Sequence, residues 1–94
     1  MLVERTELLI KSGKEDEFAA AMNGRGKTLL TAVPGVRSVS LGRGIENPDK
    51  FVLLVEWASM DAHTAYRGTP TSIAIRELIG PYSRGASMEH FNMG

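Results

Sequence analysis

The segment Phe51-Val-Leu-Leu-Val-Glu-Trp57 is apolar everywhere except Glu56. Side chains alternate across a β-strand, so a strand with one wet face alternates apolar and polar residues. Here Phe51, Leu53, Val55 and Trp57 share one face, and Val52 and Leu54 occupy the other. Both faces need cover. The rest of the chain has helical periodicity enough for one of them, so the second is expected to meet a partner chain.

The 94 residues suit a single domain over 1–94. A chain of this size buries only about 60–65% of the surface its unfolded form exposes, so oligomerisation is a natural supplement to a thin core. Eleven Lys and Arg balance eleven Asp and Glu. No net field therefore attracts nucleic acid or an anionic membrane. There is no cysteine, which removes disulfides and thiolate chemistry. Glu4, Arg5 and Glu7 interrupt the first residues, and no apolar run approaches the ~20 residues of a membrane helix. A soluble cytoplasmic protein is the expectation.

Leu2 to Ile10 reads as a first strand. Ser12-Gly-Lys-Glu15 then has the pattern of a capping box, with acidic residues in the first turn. The helix that follows carries an apolar stripe at Phe18, Met22, Gly26, Leu29 and Val33. Gly24 and Gly26 each weaken it by about 1 kcal/mol against alanine. Gly26 lies on the stripe, which signals either local softness or close approach of helix to sheet. Pro34-Gly35 ends the segment.

Val36 to Ile45 reads as a second strand, with the small residues Ser38, Ser40 and Gly42 on one face. That face leaves volume for a ligand or for a large partner side chain. Glu46-Asn47-Pro48-Asp49 is turn chemistry and makes a hairpin with the strand that follows. Ser59 can cap a short helix from Met60 to Arg67, and Thr69-Pro70 starts another, which Gly80-Pro81 stops. Arg84 to Asn92 reads as a last strand. The order predicts an α+β, ferredoxin-like βαββαβ fold: an antiparallel four-stranded sheet with helices on one face. The apolar filling of the third strand then predicts a homodimer packed sheet against sheet.

Gly13-Lys-Glu-Asp-Glu-Phe18, Pro34-Gly-Val36, Glu46-Asn-Pro48, Val55-Glu-Trp57, Ala62-His63, Gly80-Pro81 and Glu89-His90 follow one another in an order that resembles the antibiotic biosynthesis monooxygenase (ABM) family. The resemblance covers nearly the whole chain. It implies a dimeric α+β barrel, in agreement with the argument from the third strand. Some members of that family oxidise phenolic polyketides or quinols with molecular oxygen and neither metal nor flavin; others degrade haem. The haem-degrading members use an asparagine, a tryptophan and a histidine at positions where this sequence offers Thr6 or a neighbour, Tyr66, and Arg76 or a neighbour, so the histidine ligand is missing and haem breakdown is not expected.

His63, Tyr66 and Arg67 stand at i, i+3 and i+4 and share one helix face. A histidine can take a proton near neutral pH, which makes His63 the first candidate base. His90 on the last strand is the second, facing His63 across a pocket if it points toward the helices. Tyr66 and Arg67 would orient a phenolic or carbonyl oxygen and its anion. Trp57, Arg76 and Ser38 complete the substrate-binding candidates, with Trp57 chiefly a core residue and Arg76 also a possible ion-pair partner of Glu56. Tyr82 suits either a lid or a plain loop position. His63, His90 and a carboxylate such as Glu56 or Glu89 have metal-binding side chains, but their spacing does not demand an ion, and none is expected.

The resulting expectation is a cofactor-independent monooxygenase that oxidises a small phenolic, quinol or polyketide-like aromatic with molecular oxygen. A non-catalytic small-ligand module and a cofactor-free isomerase on the same fold are the alternatives.

Overall fold

The apolar strand lies inside the sheet. In the computed structural model, which describes residues 1–94, the strands are β1 (Leu2–Ile10), β2 (Val36–Arg43), β3 (Lys50–Trp57) and β4 (Ser83–Asn92). They are ordered β2-β3-β1-β4, and every pairing is antiparallel. The helices are α1 (Glu15–Ala21), α2 (Lys27–Thr31), α3 (Met60–Tyr66) and α4 (Pro70–Ile79). This is the ferredoxin-like α+β arrangement read from the sequence.

The core sits between the sheet and the helices. Leu8, Ile10, Phe51, Leu53, Val55 and Trp57 supply it from the strands. Phe18, Met22, Leu30, Val33 and Ile75 supply it from the helical layer. Phe18 meets Phe51 edge to face, with ring centres 5.0 Å apart. Tyr82 also packs on Phe18, with ring centres 5.9 Å apart, which makes it part of this cluster and not a lid.

The opposite face of the sheet carries no helix. Val52 is half-buried there, while Leu54 and Phe91 are 37% and 39% exposed. Polar residues share that face: Ser38 donates to Glu56 Oε1 at 3.4 Å, and Glu7 pairs with Arg5 and Lys50. Glu56 therefore does not pair with Arg76, which lines the helix side.

Several local expectations change. Ser12 caps nothing: α1 begins at Glu15 after a turn closed by Lys14 N–H to the Lys11 carbonyl at 3.0 Å. Gly13 holds φ +84° in that turn, a left-handed conformation that favours glycine. Between α1 and α2 the chain makes a wide π-helical turn at Met22–Gly26. The extra residue advances the phase, so Leu30 enters the core where straight helical spacing pointed to Leu29. A side chain at Gly26 would strike Met22 Sδ at 2.6 Å, so this glycine makes room for a methionine and not for the sheet. The caps at Ser59 and Thr69 form as expected, each accepting a backbone N–H three residues on.

Candidate active site

On the helix side of the sheet the pairing register lays side chains in rows. Val39, Val55, Glu4 and His90 form one row across β2-β3-β1-β4, and Leu41, Leu53, Thr6 and Met88 form the next. The β2-β3 half of each row is apolar and packed under α1 and α2. The β1-β4 half carries the polar groups. Here the helical layer stands off the sheet, and a cleft of about 900 Å³ opens between β1, β4, α3 and α4.

Glu4 is the centre of the polar group. It is only 5% exposed. Trp57 Nε1 donates to its Oε1 at 3.1 Å, and the Thr6 hydroxyl donates to its Oε2 at 3.1 Å. His63, also 5% exposed, brings Nε2 to 3.4 Å from Oε1. The helix that carries His63 is anchored by its Ser59 cap and by Trp57, whose ring meets the imidazole edge to face at 5.2 Å. His90 lies against His63 with ring centres 4.3 Å apart. Its Nε2 is buried and has no hydrogen-bond partner.

Burial pushes the His63 imidazole below the ordinary histidine value. Glu4 opposes that shift, while His90 and Arg67 reinforce it. The shift favours the neutral ring, the form that can accept a proton. Tyr66 is pushed up to about 12, first by burial and then by the Glu4 charge, so its hydroxyl remains a donor. Arg67 and Arg76 add positive charge at the cleft wall, while Leu8, Leu53, Ile75 and Ile79 make much of the remainder apolar. The arrangement combines proton acceptors, a hydroxyl donor and cations around an apolar space, a suitable environment for stabilising an anion formed from an aromatic molecule.

His63, His90, Tyr66, Arg67 and Arg76 thus all line one cleft. Trp57 stands behind it, 1% exposed, as the support of Glu4. Ser38 lies on the opposite face of the sheet, away from the cleft. Its row of small residues borders the uncovered face of the sheet. The carboxylate near the histidines is Glu4, the cross-strand partner of His90, and neither Glu56 nor Glu89. Sequence reasoning passed over Glu4 as a charge near the start of the chain. Its parity with Leu8 and Ile10, both core residues, was the available signal.

A four-stranded antiparallel sheet in this order, with helices on one face and a cleft at the β1-β4 side, defines a ferredoxin-like α+β subunit. Residues 1–78 match the family described as antibiotic biosynthesis monooxygenase. The chain belongs to that family. An uncharacterised protein of Bacillus subtilis strain 168, YczJ, is 31% identical over 93 residues, covering 97% of each chain. A candidate antibiotic biosynthesis monooxygenase from Bordetella bronchiseptica superposes with a TM-score of 0.90 at 25% identity, covering 99% of this chain and 96% of that one. SnoaB, a cofactor-independent oxygenase from Streptomyces nogalater, superposes with a TM-score of 0.86 at 16% identity, covering 99% and 92%. At that identity the likeness to SnoaB is one of fold. No helix is long and apolar enough to cross a membrane.

Proposed function

We propose that this protein is a cofactor-independent monooxygenase that oxidises a small electron-rich aromatic compound, a phenol, quinol or polyketide-like ring, with molecular oxygen. The observation that carries the reading is the pair of imidazoles, His63 and His90, at the polar end of a largely apolar cleft. Family membership and the oxygenase described for the similarly folded SnoaB support it.

The chemistry follows from the groups present. The substrate lies in the cleft with its acidic O–H or C–H toward the histidines. His63, neutral because it is buried, takes the proton, with His90 beside it as a second acceptor. Tyr66 and the Arg67 and Arg76 cations stabilise the resulting anion. That anion is electron-rich enough to reduce oxygen directly. One oxygen atom enters the ring, the other leaves as water, and the substrate supplies both electrons and both protons. The apolar walls of the cleft limit the contact of the intermediate with water. Two subunits packed through their uncovered sheet faces complete the assembly, as is typical of the family.

Oxygen uptake with a panel of anthrones and hydroquinones tests the reaction. Consumption of one O₂ per product supports it, and turnover without oxygen replaces it with an isomerase. His63→Ala is expected to remove most of the rate; full turnover in that variant would exclude His63 as the base.

A further inference from the structure

We infer that Glu4, His63 and His90 form a binding site for one divalent first-row transition-metal ion, with an open coordination position toward the cleft. Three strands of argument lead there. The first is the donor set: two imidazoles and one carboxylate, whose ligand atoms all lie within 4.8 Å of one another. Two histidines and a carboxylate on one side of an ion are a recurrent set for iron, and histidine with carboxylate also suits zinc.

The second is geometry. Zinc binds imidazole nitrogen and carboxylate oxygen at about 2.0–2.2 Å, so two such donors at a tetrahedral centre stand about 3.4 Å apart. His63 Nε2 and Glu4 Oε1 are 3.4 Å apart. Glu4 and His90 are direct cross-strand partners, which places the third donor within 4.8 Å of the other two.

The third is what the protein otherwise leaves unmatched. Glu4 is a buried carboxylate with no lysine or arginine among its ion-pair partners; its one such contact is His63. His90 Nε2 is buried and unpartnered. Both are costly in an apolar setting, and an ion satisfies both at once. Trp57 and Thr6 already hold the two carboxylate oxygens, as the outer partners of a metal-bound carboxylate do. All three ligands border the cleft, so the remaining position is reachable from it.

This inference goes beyond the oxygenation reading. An ion bound here takes imidazole lone pairs that the metal-free reaction uses, so metal and substrate proton compete for the same atoms.

The test is titration of cobalt(II) chloride into the chelator-treated full chain, read by visible absorption. Saturation at one cobalt per subunit is expected, with the ligand-field bands of a four- or five-coordinate ion. His90→Ala, on an edge strand, and the nearly isosteric Glu4→Gln are each expected to weaken binding at least about tenfold. Folding of both variants is checked by circular dichroism. Absence of a saturable band, or wild-type affinity in folded His90→Ala, overturns the site. Oxygen uptake by the same metal-free protein bears on the oxygenation reading alone, so the two fail separately.

Discussion

Glu4 on β1 and Trp57 at the end of β3 are joined by a buried hydrogen bond, from the indole N–H to carboxylate Oε1 at 3.1 Å. Glu4 pairs in register with Val55 and Leu2 pairs with Trp57, so the indole reaches its acceptor diagonally across the ladder. A carboxylate in the interior is held by donors from two strands, and it in turn faces both histidines.

That dependence predicts an asymmetry between two substitutions. Glu4→Ala leaves the Trp57 N–H and the Thr6 hydroxyl unpartnered in a buried space, at a cost of about 1–3 kcal/mol. Glu4→Gln keeps an acceptor for the indole and is expected to cost less. Urea unfolding followed by the emission of the single tryptophan measures both. Equal midpoints for Glu4→Ala and wild type would remove Glu4 as a structural centre.

The elevated Tyr66 value gives stability a definite alkaline dependence. In the unfolded chain a tyrosine loses its proton near pH 10, whereas Tyr66 in the fold holds it to about 12. Between those values the unfolded state binds fewer protons, so stability falls as pH rises. Below pH 10 both states are protonated and the contribution is fully present. Thermal melting of wild type between pH 9.5 and 11.5 should show this decline, and Tyr66→Phe should flatten it. Tyr82, which Glu17 also holds above the ordinary value, remains in Tyr66→Phe and sets the residual slope.

The architecture was legible because its signals are local. β1 and β3 follow their strand-like patterns, the α3 and α4 starts follow Ser59 and Thr69, and helical spacing puts His63 and Tyr66 on the cleft, with Arg67 reaching it from the extended residue that ends α3. What was not legible depends on which sheet face the helices cover. Strand parity separates Ser38 from Val39 but does not say which of them looks at the helices. Ser38, a substrate-binding candidate by residue type, borders the open face. The same ambiguity hid Glu4, which is buried under the helices and accepts from Trp57, a donor 53 residues away. The π-helical turn lay beyond periodicity too, since its two glycines mark weakness without saying how the helix yields.

The two glycines of that turn should respond oppositely to alanine. A Cβ at Gly24 meets nothing within 4 Å, so Gly24→Ala stabilises by about 0.4–1 kcal/mol through the unfolded chain. At Gly26 the Cβ would lie 2.6 Å from Sδ and 2.8 Å from Cε of Met22, a fully buried side chain. Repacking there costs about 1–3 kcal/mol and outweighs the gain in helix propensity. Denaturation midpoints of the two variants decide it. A more stable Gly26→Ala would mean that Met22 has free space to move into.

The uncovered sheet face carries the last expectation. Val52 and Leu54 on β3 stand between β2, with its small Ser40 and Gly42, and β1. Leu54 is 37% exposed in the isolated subunit, and its loss from the surface touches no residue of the cleft. Placing a charge there opposes burial against a second copy because an unpaired charge is costly to desolvate. The subunit's own core lies on the other side of the sheet and should survive. Wild type is therefore expected to run as a dimer in light scattering at low micromolar concentration, and Leu54→Arg as a folded monomer with unchanged far-ultraviolet circular dichroism. A monomeric wild type, or a Leu54→Arg variant that still dimerises with undiminished affinity, would show that this face is not where two subunits meet.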